Sequence, residues 1–178
     1  MAAGEIAIGT IDSPLGQFTA AVRSTGLLRL AFPGHGSEAV GEELAVRLRA
    51  PLAERPRALD PLRSELEAYF DGRLRRFRTR LDWTLVGPFA RRVLQATAEI
   101  PYGGCLSYGE IAAEAGSPRG ARAAGNALGS NPFALVVPCH RVIAGDRRIG
   151  GYGGGIERKR FLLELEGTFA PGAARARS

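Results

Sequence analysis

Lysine is nearly missing from this chain. Lys159 is the one lysine among 24 basic residues, so the formal charge of +6 and the pI near 10.1 rest on arginine. Cysteine and histidine are as scarce, with two of each: Cys105, Cys139, His35 and His140. Two cysteines in 178 residues exclude a disulfide scaffold, and in a reducing cytosol both are expected as free thiols. No Cys/His cluster has zinc-ligand spacing, so no metal is expected. No apolar run is long enough to span a bilayer. The start, "MAAGEIAIGTIDSP", lacks the charged-then-apolar plan of a secretory signal. The expectation is a soluble, cytoplasmic, monomeric protein with no membrane partner. "GGYGGG" (150–155 with its flank) resembles a phosphate cradle but lacks the Lys-Ser/Thr of a P-loop, which excludes nucleotide binding and leaves no cofactor to expect.

What is present is 45% hydrophobic, enough for a packed core. The first third alternates short apolar runs with turns. "EIAIGTI" (5–11), "QFTAAV" (17–22) and "LLRLAF" (27–32), separated by "DSPLG" and "STG", predict a three-stranded antiparallel meander. Helices are expected over 37–49 and 61–71, the second with Asp60 as cap, Pro61 in the first position and Gly72 as stop. "RLRRFRTRLDW" (73–83) is expected to close this domain with a strand, its arginines forming a solvated face.

From Gly87 the pattern turns helical. "PFARRVLQATAEI" places Phe89, Val93, Leu94, Thr97 and Ile100 on one side. In "SYGEIAAEAG", Ser107 and Glu110 have capping-box spacing, and Gly116 is a fitting stop. "SPRGARAAGNAL" restarts with Ser117 as the expected cap. Two short helices joined by so tight a turn are a helix-turn-helix candidate, a weak signal alone. A last helix, "IERKRFLLELEG", ends at Gly167. The domains are read as 1–85 (α/β), 86–167 (helical, holding the helix-turn-helix candidate) and a disordered tail, 168–178.

One cysteine and one histidine adjoin in "VVPCHRV" (136–142). A thiol attacks as thiolate, and an ordinary cysteine titrates near ~8.5, so catalysis needs a base or a lowered pKa. In an extended segment residues 139 and 140 point to opposite faces. They cooperate only in a turn or through a bridging water. The imidazole also needs an orienting acceptor, for which Glu164 and Glu166 are both candidates. Against this, a lone cysteine after "LVVP" is most often core packing.

The longer run "NPFALVVPCHRVI" followed by "GGYGGGIERKRFLLELEG" resembles the O6-alkylguanine-DNA alkyltransferases, the methylated-DNA–protein-cysteine methyltransferases, whose signature is PCHR. "IPYGGCLSYGEIAAEAGSPRGARAAGNALGSNP" is similar to the same family's DNA-binding part. The likeness is dense over 87–167 and looser over 5–80. It implies an α+β protein: an N-terminal ribonuclease-H-like three-stranded antiparallel sheet with helices, and a C-terminal winged-helix-like helical domain.

The resemblance also implies roles. Cys139 accepts the alkyl group, irreversibly and once per molecule. His140 acts on the thiol through a water, Glu166 orients His140, and Asn131 holds the turn around the cysteine. Arg122 fills the space of an extruded base. Tyr108 presses on the neighbouring phosphate and donates to the departing guanine. Ala121, Ala123, Ala124 and Gly125 let their helix approach a groove, and Asn126 is the one evident base reader. Tyr108, Val142, Tyr152 and Gly153 line the base pocket. The implied partner is double-stranded DNA containing O6-alkylguanine, with O4-alkylthymine a second candidate lesion and cooperativity on DNA left open. The chain departs from the family at Phe89-Ala90 and Leu94, where Phe-Gln and a tryptophan are frequent, and at Cys105, where threonine is common. The competing readings are a non-catalytic sensor of alkylated DNA, a transcriptional regulator and a Cys-His hydrolase. Cys139 argues against the first, chain length against the second, and the DNA-binding features against the third.

Overall fold

A computed structural model describes residues 4–34 and 36–169, so His35 and the tail 170–178 lie outside the described residues. The chain divides into two compact units, Met1–Leu85 with Pro132–Ala134, and Val86–Asn131 with Leu135–Ser178. Among the described residues no helix is long and apolar enough to cross a membrane.

The first unit is built on β1 (Ile6–Ile11), β2 (Phe18–Arg23) and β3 (Gly26–Ala31), an antiparallel meander as the apolar runs predict. A fourth strand, β4 (Leu52–Ala53), adds in parallel to β1, giving the order β3-β2-β1-β4. Two residues between a helix and a turn are too short to be seen as a strand in the sequence. Strand β2 is buried at five successive positions because both sheet faces are covered. On one face, α1 (Ser37–Leu48) sets Val40 and Leu44 against Ile6, Ala21 and Leu28. On the other, a 3-10 turn (Pro56–Leu59) brings Leu59 so near Gly9 that a Cβ there would lie 2.9 Å from its methyl.

The 3-10 turn runs directly into α2 (Asp60–Phe70). Asp60 is therefore inside the helix rather than at its cap. Its carboxylate pairs instead with Arg63, one turn on. Gly72 does end the segment, at φ +71°. The expected strand over 73–83 does not form. Leu81 makes a single parallel bridge to Leu27, with Leu27 N donating to Arg80 O at 2.8 Å. This close approach needs Gly26, at φ +141°, where a Cβ would stand 2.5 Å from Arg80 O. Pro132–Ala134 belongs to this unit rather than to the domain assigned from sequence. Leu30 N donates to Pro132 O, Ala134 N donates to Leu30 O, and Phe133 meets Trp83 edge-on at 5.1 Å.

The second unit begins with α3 (Pro88–Ala98), which buries Val93, Leu94 and Thr97 as its periodicity requires. Strand β5 (Leu106–Ser107) leads into α4 (Tyr108–Glu114) through the anticipated capping box: Glu110 N donates to Ser107 Oγ, and Ser107 N donates to Glu110 Oε2. Helix α5 (Ala121–Gly129) starts three residues later than expected, with Gly120 as cap. Ser117 is occupied elsewhere. Its N–H bonds Ala112 O while Gly116 N bonds Ala113 O, the paired bonds of a Schellman ending on α4. Strand β6 (Val142–Ile143) pairs in parallel with β5, and α6 (Ile156–Leu165) closes the unit.

Candidate active site

Cys139, His140 and Arg141 form a 3-10 turn after Pro138, with Cys139 N bonded to Val137 O and Arg141 N to Pro138 O. The turn removes the opposition of an extended chain, because at three residues per turn neighbouring side chains diverge by about 120° instead of about 180°. All three are buried: Cys139 is 9% exposed and His140 not at all.

His140 Nε2 lies 2.8 Å from Glu166 Oε1. The same carboxylate accepts from Arg141 Nε at 2.8 Å and Nη2 at 2.9 Å, while Arg141 Nη1 donates to Ile100 O at 2.6 Å. Burial alone would raise the Glu166 pKa, but the bonds from His140 and Arg141 outweigh it and hold the carboxyl at about 2. An ionised carboxylate only accepts, so Nε2 carries the proton. Burial lowers the His140 pKa despite Glu166, which keeps the ring neutral. Its Nδ1 is then a bare acceptor, buried and without a hydrogen-bond partner among the described residues.

The Cys139 thiol is pushed up by burial, and Asn131, Tyr152 and Lys159 work against that rise. Asn131 Nδ2 bridges Val137 O at 3.0 Å and Cys139 Sγ at 3.2 Å. It thus fixes the turn and offers a donor to the sulfur. Lys159 is fully buried, with Nζ donating to Val142 O at 2.6 Å and Gly151 O at 3.2 Å. Burial brings its pKa down to about 8, and the nearby Cys139 charge pulls the other way. The resting site holds a thiol, a neutral imidazole on the next residue and a cation poised to favour the thiolate.

Cys139 lies in a cleft of about 250 Å³ lined by Tyr108, Gly125, Leu128, Gly129, Gly151, Tyr152 and Gly153. That is below the roughly 300–1,000 Å³ of drug-sized ligand sites and suits one flat group. Tyr108 closes one side, its hydroxyl donating to Gly151 O at 2.9 Å and its pKa raised by burial and then by Cys139. Four glycines share the lining with Leu128 and Tyr152, and a Cβ on Gly153 would stand 3.3 Å from Gly129 O. On α5, Ala121, Arg122, Ala123 and Asn126 are exposed, while Ala124 is buried.

Comparison with known proteins decides what this arrangement belongs to. Residues 88–168 match the DNA binding domain of 6-O-methylguanine DNA methyltransferase, and residues 6–83 match the ribonuclease-like domain of the same family. The chain belongs to the 6-O-methylguanine DNA methyltransferase family. The methylated-DNA–protein-cysteine methyltransferase of Mycobacterium tuberculosis is 44% identical over 167 residues, 91% of this chain and 93% of the relative. A crystal structure of the M. tuberculosis O6-methylguanine methyltransferase matches at 42% identity and TM-score 0.76, covering 94% of this chain and 96% of the other. A second, of the M. tuberculosis protein in complex with DNA, matches at 42% identity and TM-score 0.77, covering 91% and 92%. The fold is accordingly α+β, a ribonuclease-like sheet unit followed by a helical DNA-binding unit.

Within this methyltransferase framework the structure brings together Asn131, Cys139, His140, Glu166, Tyr108, Tyr152 and Gly153. Gly125, expected only on the DNA-facing helix, also lines the cleft. Val142 does not line it. Its side chain is fully buried and its carbonyl is held by Lys159. Ala124 faces the interior of its unit rather than a groove. Of the two glutamates, Glu166 turns inward because the helix ends there, and Gly167, at φ +73°, reverses the chain. Sequence reasoning missed Arg141 and Lys159. The signal for the second was present: a single lysine in an arginine-rich chain, seventeen positions from the carbonyl it holds. Cys105 lines a separate cleft with Leu106, Ser107 and Glu110.

Proposed function

We propose that this methyltransferase repairs DNA by moving the alkyl group from O6 of guanine onto Cys139 Sγ, once per molecule. The observation that carries this is the thiol in a one-base cleft, with Asn131 on its sulfur and the His140–Glu166–Arg141 array behind it. His140 Nδ1 takes the thiol proton through one bridging water. Glu166, kept ionised by Arg141, stabilises the imidazolium that results. Sulfur forms its bond to the alkyl carbon as the carbon–oxygen bond breaks, and the electron pair stays with guanine, which leaves on taking up a proton. The stable thioether ends the reaction, and no cofactor enters the balance.

An alkylated base inside a duplex is out of reach and must be flipped out, at a few kcal/mol. Arg122, exposed near the start of α5, fills the vacated stack. Ala121, Ala123 and Gly125 permit close approach of that helix, and Asn126 is the one base-edge reader beside them. So few readers suit a protein acting in any sequence context. Tyr108 donates to the leaving guanine once its bond to Gly151 O is exchanged. O4-alkylthymine offers the same leaving-group chemistry. The protein works as a monomer in the cytoplasm.

The test is a duplex carrying methyl-labelled O6-methylguanine, offered to the protein and to Cys139→Ala. One label per molecule on Cys139, and none on the variant, is the expected result. Preferential binding of the lesion duplex with no transfer would replace this reading by that of a damage sensor.

A further inference from the structure

Residues 73–80 hold five arginines and no acid, against a net charge of +6 for the whole chain. From 76 to 81 exposure alternates strictly: Arg76, Arg78 and Arg80 are exposed, and Phe77, Thr79 and Leu81 are partly covered. That two-residue period is the signature of an extended chain, in which alternate side chains stand roughly 6.6 Å apart on one side. The inward set is pinned residue by residue. Phe77 packs on Tyr69 with ring centroids 5.4 Å apart. Arg78 N donates to Glu65 Oε1 at 2.8 Å, and Thr79 N and Oγ1 donate to Glu65 Oε2 at 3.1 and 2.6 Å. Arg80 O accepts from Leu27 N at 2.8 Å. Glu65 on α2 thus holds the backbone of the segment in place.

A solvated face needs no such anchoring. Here three exposed arginines stand in a row on a fixed backbone. Guanidinium is planar, always charged and suited to bidentate phosphate contact. We propose that Arg76, Arg78 and Arg80 form a second, sequence-independent contact for the DNA phosphate backbone, carried by the sheet unit and separate from α5. The proposal rests on the DNA-repair reading above.

Binding of an undamaged duplex is measured against salt for the parent and for R76Q/R78Q/R80Q. Each lost phosphate contact flattens the log K against log salt slope by about 0.9, so the triple variant should be shallower by about 2 to 3. Transfer from free O6-benzylguanine, which needs no duplex, should stay at the parent rate and reports an intact site. An unchanged slope with unchanged free-base transfer would overturn the proposal. The parent protein supplies a test independent of any variant: phenylglyoxal modification of Arg76, Arg78 and Arg80 should be suppressed by duplex. Equal modification with and without duplex, or suppression by polyglutamate alone, would also overturn it. Failure of the parent to bind duplex at all would sink the DNA reading itself, whereas binding without protection sinks only the arginine row.

Discussion

Replacing Glu166 by Gln tests the central electrostatic argument. The carboxylate is buried and accepts from His140, twice from Arg141 and, at 3.5 Å, from Gly103 N. At about 1.4 kcal/mol per pKa unit, the fall from 4.5 to about 2 corresponds to about 3 kcal/mol of interaction. An amide keeps the shape but turns an NH₂ toward a donor and leaves the guanidinium without its countercharge. Breaking a buried pair on one side costs roughly 3–5 kcal/mol, which agrees in size. The sign follows from linkage. Glu166 is depressed in the folded state, so the unfolded chain binds the extra proton. Its contribution is complete above pH 4.5 and disappears as the pH falls toward 2. Burial of neutral His140 acts in the same direction below 6.5, and Glu166 partly opposes that shift in the parent. Urea denaturation should therefore show Glu166→Gln less stable by about 3 kcal/mol at pH 7, with the gap closing in acid. For a protein of this size that is a Tm lower by about 6–12 °C. Adding Arg141→Met should recover part of the loss, because it removes the stranded charge. A variant within about 0.5 kcal/mol of the parent at pH 7, or a gap unchanged in acid, would refute the reasoning.

Other perturbations separate packing, electrostatics and DNA handling. Gly26→Ala should destabilise by about 2–3 kcal/mol in urea, since φ +141° and a Cβ 2.5 Å from Arg80 O leave it no room; a loss under about 0.5 kcal/mol would refute the close approach. Lys159→Met should slow transfer from the free base at pH 7 by about tenfold, the equivalent of one pKa unit at the thiol. The deficit should shrink above pH 8, where the parent loses its own ammonium; a constant deficit from pH 7 to 9 would mean that Lys159 acts only by packing. Arg122→Ala should slow repair in duplex DNA about 10- to 100-fold, a part of the few kcal/mol that flipping costs. Free-base transfer should be untouched, and equal slowing of both reactions would place Arg122 in the fold rather than on the DNA.

The sequence alone determined whatever depends on neighbours a few positions apart. The three meander strands, the Ser107–Glu110 capping box and the glycine stops at 116 and 167 are settled by local bonds and by φ, and each is legible as a string of residues. The run around Cys139 was legible for a different reason, since its order of residue types is distinctive. Where the same local signals competed, reading by pattern failed. Ser117 looks like a cap, but it belongs to the Schellman ending of α4, and α5 begins only after Gly120. Asp60 looks like another, but a 3-10 turn ran through it. Between Glu164 and Glu166 spacing left the choice open and the resemblance favoured Glu166; the tertiary structure turned it inward, revealed that His140 and Arg141 keep it ionised, and brought Lys159 to the carbonyl of Val142. Those are choices among side chains of the same type by helix rotation and burial. Local sequence carries periodicity, but it does not carry the partner on another element that makes a buried charge tolerable.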